Sequence, residues 1–101
     1  MAFKVVILDT AQREYREIVS YMIEVLKSPQ AAANFMDTFD EQMALAAEVP
    51  SAFPLSRMPE LAAKGYHAAP VNNYLVLYRA TGEVIAVAHV FHQTQDYARL
   101  V

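Results

Sequence analysis

The spacing of apolar residues changes once along this chain of 101 residues, and that change limits the folds it can adopt. Between residues 11 and 48 the apolar side chains recur at steps of three and four, which is the period of an amphipathic α-helix. From Lys64 onward apolar and polar side chains alternate, which is the period of a β-strand. Helices followed by strands predict an α+β domain.

Local signals divide the helical half into two helices. A short β-branched strand over residues 3–8 precedes a helix that opens at Asp9, with a capping box to Gln12, and runs to about Lys27. Its apolar stripe is Ala11, Tyr15, Ile18, Val19, Met22, Ile23 and Leu26. Ser28-Pro29 then begins a second helix over residues 29–48, because serine caps a helix and proline fits its first position.

The second helix has its own apolar stripe, and the short connection between the helices predicts an antiparallel hairpin. The stripe consists of Phe35, Phe39, Met43, Ala46 and Ala47. Pro50 ends this helix, and an irregular crossing segment with further prolines extends to about Ala63.

Three strands are expected in the remainder of the chain. A weak strand over residues 65–69 is closed by Pro70, Asn72-Asn73 form a turn, and strong strands over 74–79 and 84–91 are joined by a Thr81-Gly82 turn. The predicted order is therefore β-α-α-β-β-β in a single domain over residues 1–101. A helical hairpin packs on a small, mostly antiparallel sheet.

Composition and charge limit the functional classes. Hydrophobic residues make up 55% of the chain and charged residues only 19%, against about 25% charged in typical domains. This apolar excess predicts a lasting protein partner. The absence of cysteine excludes disulfides and thiolate metal sites. An acidic residue at position 9 and the lack of a long apolar run predict a cytoplasmic protein without a membrane partner.

The charges are unevenly distributed along the chain. Residues 1–49 carry four basic against eight acidic residues, whereas residues 50–101 carry four against three and all three histidines. The second half is therefore the part that can face an anion. Its cations Arg57, Lys64 and Arg79 are candidate phosphate ligands, although each is also compatible with a solvated surface residue.

His92 is a candidate for proton transfer because it ends the last predicted strand and imidazole titrates near neutral pH. An exposed histidine at a strand end is the alternative. His89 and His92 lie three residues apart and fall on opposite faces of a strand, so we predict no metal site. The alternation groups Ile85, Val87, His89 and Phe91 on one face, which makes His89 half-buried or partner-facing.

Tyrosines are frequent in this half and offer rings that stack on nucleic-acid bases. The candidates are Tyr66, Tyr74, Tyr78 and Tyr97. Tyr74 and Tyr78 share one strand face, which favours packing under the helices or against a partner.

Two segments resemble the RelE/ParE superfamily of toxins from bacterial type II toxin–antitoxin modules. Residues 65–79, GYHAAPVNNYLVLYR, resemble the family block GYR-x-x-x-V-x-NY-x-V-x-YR. Residues 84–100, which end HVFHQTQDYARL, are similar to the family's closing strand and its tail V-x-H-x-R-x-D-x-x-R-L. The resemblance covers essentially the whole chain and implies the fold derived above.

The resemblance implies a growth-arresting toxin, of the plasmid-stabilisation type, held inactive by a cognate antitoxin in a hetero-oligomer. One branch of the family cleaves mRNA on the ribosome without a metal or other cofactor, and the other inhibits DNA gyrase. For cleavage, the matching catalytic residues are His92, Tyr97 and Arg79. Contacts to phosphate or RNA would come from Arg57, Lys64 and His67. Contacts to the partner would come from Tyr74, Tyr78, His89 and Phe91.

Four positions depart from the family pattern. His67 stands where the block often has arginine, and Leu75 where nucleolytic members have arginine after the strand tyrosine. Gln93 and Gln95 occupy tail positions where arginines are frequent. These departures and the net charge of −3 weaken the mRNA-cleaving interpretation, since RNA binding favours basic proteins. Both mechanisms stay open, together with a non-toxic member that only binds its antitoxin.

Overall fold

The structure, a computed structural model, describes residues 2–94. Its four-stranded sheet has the order β1-β4-β3-β2, with β1 parallel to β4 and the other pairs antiparallel. The strands are β1 Lys4–Ile7, β2 His67–Val71, β3 Tyr74–Thr81 and β4 Val84–His92. The helices are α1 Asp9–Ser20, α2 Pro29–Glu48 and α3 Pro59–Ala63. The predicted α+β class and the helical hairpin on the sheet are confirmed.

The first helix differs from its prediction at both ends. The helix α1 begins at Asp9, so Leu8 takes the N-cap position that was expected for Asp9. Leu8 is held in this position because its N–H donates a hydrogen bond to the Val87 carbonyl at 2.9 Å. The expected capping box is therefore wrong, and the Gln12 amide instead donates to the Ile7 carbonyl at 2.8 Å. After Ser20 the chain continues as a π-helical segment, Tyr21–Val25.

The end of the π-helical segment is shaped by Lys27, whose φ of 54° reverses the chain. The Ser28 N–H then donates to the Met22 carbonyl at 2.9 Å. Within the segment only Met22 is buried, whereas Ile23 and the residue that follows the segment, Leu26, are exposed. The predicted apolar stripe therefore fails at its C-terminal end, because a π-helical turn holds more residues than an α-helical one and rotates the side chains out of register.

The second helix has the predicted bounds and the predicted buried face. The Ser28 hydroxyl accepts a hydrogen bond from the Ala31 N–H at 3.1 Å, and Pro29 takes the first helical position. All five residues of its apolar stripe are buried. The Tyr15 ring of α1 lies 5.4 Å from the Phe35 ring and 4.8 Å from the Phe39 ring, which joins the two helices above the sheet.

The segment after α2 is more ordered than predicted. It contains a 3₁₀ turn, Pro50–Ala52, and the short helix α3, which Pro59 opens at its first position. Leu61 of α3 is buried against Leu77 and Phe91 on the second face of the sheet. The sheet therefore has apolar clusters on both faces, the larger one under α1 and α2.

The edge strand β2 passes through Pro70 instead of ending before it. Proline is tolerated at this position because β2 is at the edge of the sheet, where its missing N–H breaks no ladder bond. The outer groups of this edge are occupied: the Ala68 N–H donates to the Pro54 carbonyl at 3.0 Å. The Gln42 side chain donates to the Pro70 carbonyl at 2.8 Å.

A β-bulge changes which residues of β4 share a face. Leu77 pairs with His89 and the next residue, Tyr78, pairs with Val87, so Ala88 is the extra residue. Val87 and Val90 both belong to the cluster under the helices, whereas Phe91 belongs to the second cluster. The predicted grouping of Phe91 with Ile85 and Val87 is therefore wrong.

None of the helices within residues 2–94 is long and apolar enough to cross a bilayer.

Candidate functional site

Two of the predicted catalytic residues lie at opposite ends of β3. His92 ends β4 and pairs with Tyr74, whereas Arg79 pairs with Ala86, five positions further along β3. At about 3.3 Å per residue, this places their backbones roughly 16 Å apart along the sheet. The third, Tyr97, lies outside the described residues.

His92 is partly buried at the end of the sheet, where its Nδ1 lies 2.8 Å from the Thr94 hydroxyl. The same nitrogen accepts a hydrogen bond from the Thr94 N–H at 3.3 Å. These contacts suit a ring in which Nδ1 is the acceptor and Nε2 carries the proton. The His92 ring also meets the Tyr74 ring edge to face, with the ring centres 5.3 Å apart.

The surroundings of His92 are acidic. It lines a cleft of about 750 Å³ that also contains Asp37 and Glu41, and a smaller one of about 260 Å³ that contains Glu14 and Glu17. Among the described residues that line these two clefts there is no lysine or arginine. The described part of these clefts therefore offers no cation beside His92 that would hold a phosphate.

Tyr74 forms the boundary between His92 and the helices. Its ring lies 5.2 Å from the Phe35 ring, and burial, together with the nearby Tyr21 phenol, raises its pKa above the ordinary value. Tyr74 therefore stays protonated at neutral pH. It is half-buried at the wall of the larger cleft, so its predicted contact with a partner stays a prediction.

The predicted phosphate ligands lie together at the other end of β3, around Tyr66. The Arg79 guanidinium lies 5.0 Å from the centre of the Tyr66 ring and donates to the Lys64 carbonyl at 3.4 Å. The Ser56 N–H donates to the Tyr66 carbonyl at 2.9 Å, which brings the neighbouring Arg57 to the same end. We call these four residues, Arg57, Lys64, Tyr66 and Arg79, the cationic surface.

An apolar hollow of about 300 Å³ borders the cationic surface. Arg79 and Tyr66 form part of its wall, and β1 and β4 supply most of the remainder. Those further lining residues are Val6, Leu8, Thr81, Val84, Ala86 and Ala88. Cations beside aromatic and apolar surface suit a partner that presents phosphate or carboxylate groups.

His67 was predicted to contact phosphate but is used inside the fold. Its ring stacks on Tyr78 with the centres 5.2 Å apart, and its Nδ1 lies 2.8 Å from the Phe53 carbonyl. Tyr78 is fully buried, its hydroxyl donates to the Pro50 carbonyl at 2.7 Å, and burial raises its pKa. These contacts fasten the segment after α2 to the sheet.

Three of the predicted partner contacts are also used inside the fold. Tyr78 and Phe91 belong to the two apolar clusters and expose 0% and 2% of their surface, so they offer no area to a second protein in this structure. His89 lies 3.3 Å from the Glu14 carboxylate, which also accepts a hydrogen bond from the Val90 N–H at 3.0 Å. The sequence carried no signal for this contact, since Glu14 and His89 are 75 positions apart.

Solved structures share this fold of a helical hairpin over a β1-β4-β3-β2 sheet. A chain of the chromosomal ParDE toxin–antitoxin system from P. aeruginosa is 17% identical, with a TM-score of 0.71 over 90% of this chain and 96% of that one. A chain of the RelBE2 toxin–antitoxin complex from Mycobacterium tuberculosis is also 17% identical, with a TM-score of 0.60 over 92% and 100%.

The sequence profile of the family described as the ParE toxin of the type II toxin–antitoxin system parDE matches residues 5–97. The chain therefore belongs to the ParE toxin family and is a toxin component of a type II toxin–antitoxin system. No curated protein sequence gives a significant match.

Proposed function

We propose that this toxin arrests growth by binding DNA gyrase and not by cleaving mRNA, and that a cognate antitoxin neutralises it. The observation that carries the proposal is the separation of His92 from Arg79 along β3. Cleavage through the 2′-hydroxyl of RNA requires a proton acceptor and a cation at the same phosphate. A spacing of roughly 16 Å between their backbones along the strands disfavours His92 and Arg79 acting at the same phosphate.

Leu75 supports the same choice of mechanism. It is the β3 position next to Tyr74, and it packs against the cluster of Leu61, Leu77 and Phe91. An apolar, partly buried side chain therefore takes the position after the strand tyrosine, where nucleolytic members have arginine, and it supplies no cation there. Inhibition of gyrase needs a binding surface and no proton-transfer centre, and the cationic surface around Tyr66 is suited to contact gyrase or the DNA that it holds.

The antitoxin partner is supported by the two structural neighbours, which come from toxin–antitoxin complexes. It is also supported by the large apolar side chains that the chain leaves exposed.

The test combines a supercoiling assay with purified DNA gyrase and 5′-end mapping of cellular mRNA within minutes of toxin induction. We expect inhibited supercoiling and no new mRNA ends. His92→Ala should stay toxic, whereas Lys64→Ala combined with Arg79→Ala should lower gyrase inhibition about tenfold or more, because two charged contacts are removed. Arg16→Ala, an exposed cation on α1, is the matched control and should inhibit like the wild type.

New cuts confined to translated regions, and abolished by His92→Ala, would contradict the proposal and establish ribosome-dependent cleavage. Full growth of induced cells without an antitoxin would instead establish the non-toxic alternative.

A further inference from the structure

The apolar hollow beside the cationic surface lies on the face of the sheet opposite α1 and α2. The strand register places Val6, Ala86 and Arg79 in one row across β1, β4 and β3. Val5 and Ile85, the sequence neighbours of the first two, pack in the cluster under the helices. Because successive side chains of a strand point to opposite faces, the row points to the second face. The helix α3 packs further along that face, and the hollow lies beyond it.

The hollow exists because β4 carries small side chains on this face. Ala86 and Ala88 supply only methyl groups, whereas longer side chains flank them, Leu8 on one side and Arg79 on the other. A row of short side chains between longer ones leaves a depression that a side chain of another protein can fill. Leu8 is 44% exposed at its wall. An exposed leucine that adjoins further apolar surface indicates an interaction site, which a single exposed leucine does not.

The charge at the rim of the hollow is positive. The Arg79 guanidinium lies 5.0 Å from the centre of the Tyr66 ring, and Lys64 and Arg57 lie at the same end of β3. No aspartate or glutamate is among the described residues that line the hollow. Carboxylate groups of a ligand would therefore meet cations at the rim, and the planar guanidinium suits a two-point contact with a carboxylate.

The combination of apolar floor and cationic rim favours a protein segment over DNA as the ligand. DNA presents mainly phosphates to a protein that approaches its backbone, so it would contact the cations and leave the hollow empty. Binding through phosphates also favours basic proteins, whereas this chain has a net charge of −3. A protein segment with a large apolar side chain between acidic residues would use both features, and such buried anchors dominate the energetics of protein interfaces.

We infer that the hollow receives a large apolar side chain of gyrase itself, from a segment whose neighbouring aspartates or glutamates contact Arg79 and Lys64. The ligand of this surface is thus an acidic and apolar segment of the enzyme and not the DNA that the enzyme holds. The inference rests on the gyrase mechanism proposed above and adds to it the chemical class of the segment that is bound.

The test measures the binding of purified toxin to each purified gyrase subunit without DNA, and separately to a short DNA duplex. We expect the wild type to bind a gyrase subunit and not the duplex. Ala86→Arg fills the hollow while it adds a positive charge, so it should weaken binding to gyrase about tenfold or more. The same variant would strengthen binding to DNA if phosphates were the ligand, because it adds a cation.

A second variant removes apolar wall without adding charge or volume. Leu8→Ala should weaken binding to the gyrase subunit about threefold or more, because less apolar surface is buried. This variant decides the question if Ala86→Arg does not fold, as judged by circular dichroism.

Each variant has a matched control. Ala80→Arg adds the same side chain next to Arg79, but at an exposed position that pairs with Ile85 and therefore lies on the other face of the sheet. Leu45→Ala shortens a leucine on α2 that is 47% exposed, which is close to the exposure of Leu8. Both controls should bind the gyrase subunit like the wild type.

Three outcomes would overturn the inference. The first is wild-type affinity for the gyrase subunit in folded Ala86→Arg and Leu8→Ala. The second is a wild type that binds the duplex, or that binds gyrase only with DNA present, which would assign the surface to DNA. The third is unchanged gyrase binding with lost neutralisation by the antitoxin, which would assign the hollow to that partner. Failure of the gyrase mechanism is seen separately, because the wild type itself would then leave supercoiling uninhibited.

Discussion

The Glu14 carboxylate binds a backbone N–H of β4 at a position that β1 is too short to reach. The parallel pairing of β1 with β4 extends only to Val87, and beyond it the chain turns into α1. The Val90 N–H, which would face a longer β1, is bound instead by the Glu14 carboxylate at 3.0 Å. The second contact of this carboxylate, to His89, fastens α1 to the strand just after the bulge.

Glu14→Ala should lower the free energy of unfolding by about 1–3 kcal/mol, because it leaves the N–H of the buried Val90 without an acceptor. Urea denaturation at neutral pH measures the change. Glu17→Ala is the control: its carboxylate is exposed and 3.8 Å from Arg13, so its loss should cost no more than about 0.5 kcal/mol. Equal losses in the two variants would show that Glu14 is not a structural link.

At the level of the elements, the two helices of the hairpin begin in different ways. The first turn of α1 is held by the strand before it, through the Leu8 N–H and the Val87 carbonyl. The first turn of α2 follows a reversal of the chain and is held by the Ser28 side chain and Pro29. The start of α2 is thus fixed by local chemistry, which is why the sequence predicts it correctly.

Ser28→Ala should destabilise the protein by about 1 kcal/mol, because it removes the hydroxyl that accepts from the Ala31 N–H. Ser20→Ala provides the comparison, since Ser20 is exposed at the end of α1 and lies within a continuous helical backbone. Alanine at that site should change stability by less than about 0.5 kcal/mol. Thermal melts of both variants measure the two changes in stability. A Ser20→Ala variant as unstable as the Ser28→Ala variant would contradict the capping role of Ser28.

The molecule as a whole is a sheet with a core on each face. Neighbouring residues of β3 belong to different cores: Leu77 packs with Leu61 of α3, and Tyr78 packs under the helices. Because the same strands supply both cores, one cannot open without loosening the other. We therefore expect a single cooperative unfolding transition.

Leu61→Ala should cost about 2–5 kcal/mol, since Leu61 is fully buried and its removal leaves a cavity under α3. Urea transitions followed by far-UV circular dichroism and by tyrosine fluorescence should still coincide. Leu55→Ala, at a site 48% exposed, should leave the midpoint nearly unchanged. Two separate transitions for Leu61→Ala would mean that the second core unfolds independently.

The sequence by itself determined the features that depend on neighbouring residues. These are the order of the four strands and the two long helices, the bounds of α2 from Ser28-Pro29 to Glu48, and the turns at Asn72 and Gly82, where φ is positive. Each follows from capping, proline geometry or periodicity within a few positions. His92 and the cations were also identified as candidate site residues from the sequence, because of where they lie along the chain.

Only the tertiary structure decided how distant segments meet. The bulge at Ala88, the passage of β2 through Pro70 and the burial of Leu61 depend on strand and helix partners far along the chain. The same is true of the candidate sites: pairing along β3 separates His92 from Arg79 and gathers the cations around Tyr66. Such contacts are set by the register between elements, which no local pattern encodes.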